Sequence, residues 1–218
     1  MGATAVDRRD RRDRIGRIGP NAITRVAEVL PRWLGAPGTQ ALLEAAGLAR
    51  HLHAPPEHMV DEDEVRALHA ALRARLGAPL AREVARAAGR ATADYLLAHR
   101  IPRPLQALLA RLPARWAARV LLAAITRHAW TFAGSGRFAA RVLDAARPDH
   151  TGRPSRSAML EIRANPLCRG VAAEAPACDY YAATFERLFR ALVHAEAVVV
   201  ETECEACGGA ACRFDIRW

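Results

Sequence analysis

The sequence predicts an α+β fold, a helical first part followed by a β-β-α-β-β unit, and three observations predict it. Apolar residues recur at helical spacing from about residue 15 to residue 133. After "GSG", Gly134 to Gly136, the texture changes to short, partly alternating segments separated by a turn-rich loop. A last helical stretch then precedes two strand-like runs around "CGG".

Each element has its own signal. Residues 1–14, dense in arginine and aspartate, predict a disordered, solvated head. In "IGPNAITRVAEVL" a helix begins, with Pro20 and Asn21 as start signals and Pro31 and Gly35 as stop signals. A second helix is expected over Gln40 to His53. In "APPEHMVDEDEVRALHAALRARLG" a loop leads into a third helix. Asp61 can cap it, Glu64 follows three residues later, and Val65, Leu68, Leu72 and Leu76 form one apolar stripe. Another helix runs from about Leu80 to His99 and ends at "RIPRP"; two more cover Leu105 to Arg111 and Ala114 to Phe132.

In the second part, "RFAARVLDA" and "SAMLEIRA" predict strands around the loop "RPDHTGRPSR". A helix follows in "CDYYAATFERLFRALVH", where Tyr181, Phe185, Leu188, Phe189 and Leu192 recur at helical spacing. "AVVVETE" and "ACRFDIRW" complete the unit as strands. The division is thus a head of residues 1–14, a helical part of 15–133 and a sheet-plus-helix part of 134–218, with 15–218 expected to form one compact domain.

Composition narrows the function. Of 218 residues, 51% are apolar and 25% charged, as in folded soluble proteins. The most apolar run, Trp116 to Trp130, is interrupted by Arg119, Arg127 and His128, so no transmembrane segment is expected. The charged start argues against export, which predicts a cytoplasmic protein with reduced thiols. Five cysteines then favour metal binding or a reactive thiol over a disulfide framework. The formal charge is +9, yet all 32 basic residues are arginine and they are spread over nearly every predicted helix. That pattern leaves room for weak affinity toward acidic surfaces, and no nucleic-acid partner is indicated. The lack of lysine excludes Schiff-base chemistry and a P-loop.

The chemistry concentrates at the end of the chain. A hairpin turning at Cys207-Gly208-Gly209 folds Cys212 back beside Cys204, with Glu201 close by. Cys178 stands at the start of the late helix, where exposed N–H groups favour a thiolate. Three thiolates and one carboxylate, from Cys178, Glu201, Cys204 and Cys212, make a closed tetrahedral zinc site of the structural kind. Glu201 and Cys204 differ by an odd number, so a bulge or early turn is required. Three other readings stay open: Cys207 in place of Glu201, a redox dithiol at Cys204 and Cys207, and buried thiols without metal. Cys168, in "NPLCRG", stands apart as a buried or pocket-lining thiol.

The pattern Cys–x22–Glu–x2–Cys–x7–Cys, finishing "CRFDI", resembles the 4-vinyl-reductase domain family. "IGPNAITRVAEVL", "YLLAHRIPRPLQALLARLP", "HAWTFAGSGRF", "NPLCRG" and "CDYYAATFERLFRALV" are similar to its bacteriochlorophyll-synthesis branch, over about residues 15–218. In phenol-sensing relatives three cysteines and a glutamate at these separations bind zinc. The resemblance implies a fold related to nitric-oxide-sensing haem domains and to a vesicle-tethering subunit. A four-stranded antiparallel sheet then packs with helices around a small-molecule pocket, often in a homodimer. For the pigment branch it implies a magnesium-tetrapyrrole ligand, a divinyl protochlorophyllide or chlorophyllide, whose 8-vinyl group (4-vinyl in older nomenclature) is reduced.

Vinyl reduction needs a hydride or electron source. The string "GSGRFA", Gly134 to Ala139, matches a loose dinucleotide pattern but follows a helix and opens a strand, so no nucleotide cofactor site is identified. A flat apolar macrocycle calls for aromatics, an axial ligand and a cation. His128, Trp130, Phe132, Tyr95, His99 and Tyr181 are the candidates, with His128 as axial ligand. The expectation is a protein that carries or presents the divinyl intermediate to other bacteriochlorophyll-synthesis enzymes. A catalytic vinyl reductase and a small-molecule sensor are the alternatives.

Overall fold

The protein is described by a computed structural model over residues 16–148 and 154–218. The charged head, and with it most of the "RPDHTGRPSR" loop, lies outside the described residues. A short strand β1 (Arg17–Ile18) leads into α1 (Asn21–Val29) and α2 (Pro31–Ala45). Strand β2 (Val60–Asp61) pairs with β1 and runs directly into α3 (Glu62–His99). Helices α4 (Arg103–Arg111), α5 (Ala114–Arg127) and the single turn α6 (Trp130–Ala133) follow. The second part comprises β3 (Arg137–Pro148), β4 (Pro154–Arg163), α7 (Asp179–Leu192), β5 (Val198–Glu203) and β6 (Cys212–Arg217). Among the described residues no helix is long and apolar enough to cross a membrane.

The expected α+β order is observed, and the departures from it have local causes. Pro31 does not stop a helix; it occupies the first turn of α2, where its missing N–H costs nothing. Gly35 kinks α2 through a positive φ of 64° instead of ending it. The helix expected to reach His53 ends at Ala45, and Ala49–Leu52 forms a separate 3₁₀ turn. Asp61 caps α3 as its position suggested, accepting from the Asp63 N–H at 2.8 Å. Glu64 completes no capping box: its carboxylate meets His51 at 2.9 Å and Arg50 at 2.6 Å. The two helices expected on either side of "GAP" are one element broken at Gly77 (φ 70°, ψ 163°). The small β1–β2 ladder carried no sequence signal, because two-residue strands have no periodicity to detect.

The four long strands form one antiparallel sheet in the order β3-β4-β6-β5. Its inner face presents Ala158, Leu160, Ile162, Val199, Phe214 and Ile216, all buried. Helix α7 covers that face with Tyr181, Phe185 and Phe189, and a cluster of rings joins Phe132, Phe138, Tyr181, Phe185 and Phe214. On its other side α7 packs against α3. A side chain at Gly89 would strike the Tyr180 carbonyl, so glycine sets the closeness of that contact. Thr184 donates to the Gly89 carbonyl at 3.1 Å, and Thr92 meets the Tyr180 hydroxyl at 2.8 Å.

Candidate metal centre

Four separate elements each deliver one cysteine to the inner edge of the sheet. Cys168 closes a 3₁₀ turn (Pro166–Cys168) that leaves β4, and Cys178 is the N-cap residue of α7. Cys204 ends β5 and Cys212 begins β6. The odd Glu201–Cys204 spacing is resolved by the required bulge. Glu201 pairs with Phe214 but Glu203 pairs with Arg213, which leaves Thr202 as the extra residue. The side chains beyond it change faces, so Glu203 turns outward to Arg213 while Cys204 turns inward.

The six sulfur–sulfur separations run from 3.3 Å (Cys168–Cys178) to 4.0 Å (Cys178–Cys204 and Cys204–Cys212). A tetrahedron of thiolates around zinc, with bonds of about 2.3 Å, has an edge of ~3.8 Å. The four sulfurs can therefore hold a metal ion without rearrangement, and all four residues are buried. Asn165 donates its side-chain amide to both Cys178 and Cys212 at 3.3 Å, and the Glu205 N–H points to Cys212 Sγ at 3.5 Å. Such N–H···S contacts stabilise thiolate charge. Glu205 in turn accepts from the Ala164 and Asn165 N–H groups at 2.6 and 2.7 Å, which ties the Cys168 turn to the Cys204 loop.

Electrostatics within the group are uneven. Contacts with Cys168 and Cys178 pull the Cys204 thiol well below the usual range and also lower Cys212, while the contact with Cys168 raises Cys178. Arg73 of α3 donates to the Leu167 carbonyl at 3.5 Å; burial lowers its pKa, and the charges of Cys168, Cys178 and Cys204 oppose that shift. A guanidinium thus stands beside the sulfurs as a counter-charge.

Of the expected ligands, Cys178, Cys204 and Cys212 come together, and the fourth sulfur is Cys168. Glu201 lies one step outside: its Oε2 accepts from the Cys178 N–H at 2.8 Å, and Oε1 has no hydrogen-bond partner among the described residues. Burial first, then the Cys204 charge, pushes its carboxyl up to about 9. Cys207 is exposed and shapes the turn, its N–H donating to the Cys204 carbonyl at 3.0 Å.

The expected pigment contacts do not form one group. Phe132 and Tyr181 share the ring cluster, where the Tyr181 hydroxyl donates to the Phe132 carbonyl at 2.9 Å. Tyr95 and His99 stack on each other at 4.6 Å near the end of α3, with Arg25 over the Tyr95 ring. His128 is the exposed C-cap residue of α5, and Trp130 is 37% exposed at the start of α6. The "GSGRFA" loop is a joint: the Ser135 N–H and hydroxyl both bond the buried Glu62 carboxylate, at 2.8 and 2.7 Å, before the chain enters β3. Arg169 closes the same network at 3.0 Å.

Comparison with known proteins agrees with this architecture. The family model of the 4-vinyl-reductase domain matches residues 159–218. The chain is 44% identical over 198 residues to the bacteriochlorophyll synthase 23 kDa chain of Cereibacter sphaeroides, covering 91% of this chain and 89% of that protein. It is 42% identical over 196 residues to the protein of the same name from Rhodobacter capsulatus, covering 90% and 84%. Among solved structures, the phenol-responsive sensory domain of the transcription activator PoxR superposes with a TM-score of 0.52 at 18% identity, over 72% of this chain and 74% of that one. An H-NOX protein from S. oneidensis gives 0.51 at 12% identity, over 91% and 95%. At such identities these two establish the shared α+β fold and nothing further. The identity to the two 23 kDa chains is spread over nine-tenths of the sequence, and on that ground the chain belongs to the family of the bacteriochlorophyll synthase 23 kDa chains.

Proposed function

We propose that the chain serves bacteriochlorophyll biosynthesis by binding a divinyl magnesium-tetrapyrrole intermediate and presenting it to the enzymes that process it. The observation that carries this reading is the 44% identity, over nearly the full length of both, to a protein named as a chain of bacteriochlorophyll synthase. A groove of about 430 Å³ on the outer sheet face supports it: Arg141, Arg163 and Arg213 rim a floor of Ala139 and Met159. That is a flat apolar surface with cations at its edge, which suits a carboxylated macrocycle. Glu161, drawn low by hydrogen bonds from Arg163 and Arg213, orients two of these guanidinium groups. His128, exposed at the helix junction, is the proposed axial ligand to magnesium.

The role proposed for the cysteines is structural. Zinc fits the donor set of Cys168, Cys178, Cys204 and Cys212, and when bound it would fasten the β4 turn and the start of α7 to the β5–β6 hairpin. With four protein donors no position is left for substrate.

Titrating the purified chain with divinyl protochlorophyllide, without and then with NADPH, tests the proposal. A saturable absorption shift that NADPH leaves unchanged, weakened by His128→Ala or Arg141→Ala, is expected. Conversion to the monovinyl spectrum by the chain alone would replace the carrier with a reductase. Absence of any shift would remove the pigment from the account.

A further inference from the structure

The net charge of +9 is not spread as the arginines are. From Tyr95 to Leu143 there is no aspartate or glutamate, while Arg100, Arg103, Arg111, Arg115, Arg119, Arg127, Arg137 and Arg141 all lie there. These eight supply nearly all of the net charge. Elsewhere arginines meet carboxylates, as Arg82 and Arg86 do at Asp179 and Arg187 does at Asp94. Within α4, α5 and α6 there is no carboxylate to meet.

The same segment holds four of the six large apolar side chains exposed among the described residues: Leu108 (53%), Trp116 (50%), Val120 (41%) and Trp130. On α5 they are ordered. Ala117, Ala118, Leu121 and Leu122 face the core, and Trp116, Val120, Ala123 and Arg127, at i, i+4, i+7 and i+11, face outward. Arg115 and Arg119 flank the stripe with their guanidinium carbons 5.2 and 5.1 Å from the Trp116 ring. Single exposed apolar residues are ordinary, but an outward apolar stripe within an acid-free basic segment is not.

We infer that α4, α5 and α6 form a docking face for the surface of an anionic lipid bilayer, on which α5 lies in the plane of the interface. Half-exposed tryptophans and arginines whose stems cover apolar surface are the side chains that settle at the headgroup level. Aliphatic Leu108 and Val120 gain from an acyl layer and would gain nothing from a phosphodiester backbone, which favours lipid over RNA. The complementary charge fixes the choice of anionic over neutral lipid. Such docking would set the chain beside the phase in which hydrophobic pigments dissolve, yet it stands independently of pigment binding.

Sedimentation with vesicles of phosphatidylglycerol and phosphatidylcholine in equal parts, against phosphatidylcholine alone, tests this with the full chain. Strong binding to the first that salt weakens, and little to the second, is expected. Arg115→Gln with Arg119→Gln should cut the partition coefficient roughly 25-fold, at about five-fold per arginine. Trp116→Ser with Val120→Ser should reduce it at unchanged melting temperature. Quenching of wild-type tryptophan fluorescence by lipids brominated on the acyl chain gives a reading free of any variant. Equal binding to both vesicles, unaltered binding by both double variants, or no quenching would overturn the inference. So would a wild-type dimer that Trp116→Ser dissolves, or binding to polyuridylate but not to vesicles.

Discussion

Replacing Cys168 by serine tests which fourth donor completes the tetrahedron. A structural zinc site in a small domain is worth about 10–16 kcal/mol of apparent binding energy, so one of four comparable thiolates carries about 3 kcal/mol. Loss of that share corresponds to a drop of a few hundred-fold in zinc affinity. Serine nearly conserves the volume, and Cys168 makes its close contacts only with the other three sulfurs, at 3.3–3.8 Å. The fold therefore has no other reason to fail. Competition with a chromophoric chelator at neutral pH gives the affinity, and cobalt substitution reports the number of sulfur ligands through its charge-transfer intensity. Glu201→Gln is the counterpart. Its amide oxygen can still accept from the Cys178 N–H, and affinity should stay within a few-fold of wild type. Wild-type affinity in Cys168→Ser together with a several-hundred-fold loss in Glu201→Gln would refute the reasoning. The ligands would then be Cys178, Glu201, Cys204 and Cys212.

Two further outcomes are expected. Asn165→Ala removes the amide shared by Cys178 and Cys212 and should weaken zinc roughly 10- to 100-fold by the same chelator assay. His69, held at about 3 by burial and then by Arg73, contributes stability above its unfolded pKa of 6.5 that is lost as pH falls toward 3. Between pH 7 and pH 5 the wild type should lose about 2 kcal/mol more than His69→Leu in urea melts, since only the unfolded histidine takes up a proton there.

What the sequence disclosed depended on how local each signal was. The β-β-α-β-β order and the late helix were legible because their periods lie within single segments, and the Gly77 break was legible because "GAP" is a local stop. The bulge at Thr202 could be foreseen from the parity of Glu201 and Cys204 alone. Cys168 could not be placed, since its proximity to Cys212 follows from the pairing of Ile162 with Cys212 across β4 and β6, a relation absent from linear spacing. The candidate pigment residues dispersed for a related reason: helical positions fix a face but not the neighbour it meets, and Tyr181 turned out to be committed to the ring cluster. The distribution of arginines concealed the basic face, which is defined by where acids are missing.

The bulge also decides what a metal would do here. A one-residue slip of β5 along β6 would exchange the faces of the whole strand, carrying Cys204 outward and exposing Val199 in place of Val200. β5 is an edge strand with Val198 and Val200 already 45% and 53% exposed, so side-chain burial alone distinguishes the two registers weakly. A metal held by Cys204 and Cys212 admits only one of them. Chelation should therefore act locally. In hydrogen exchange, the ladder amides of β5 and β6 should lose protection by a large factor. Amides of α1 and the first half of α3, which pack away from the sheet, should change little. A uniform loss across both parts would mean that the cysteines stabilise the whole fold and leave register to the apolar pattern.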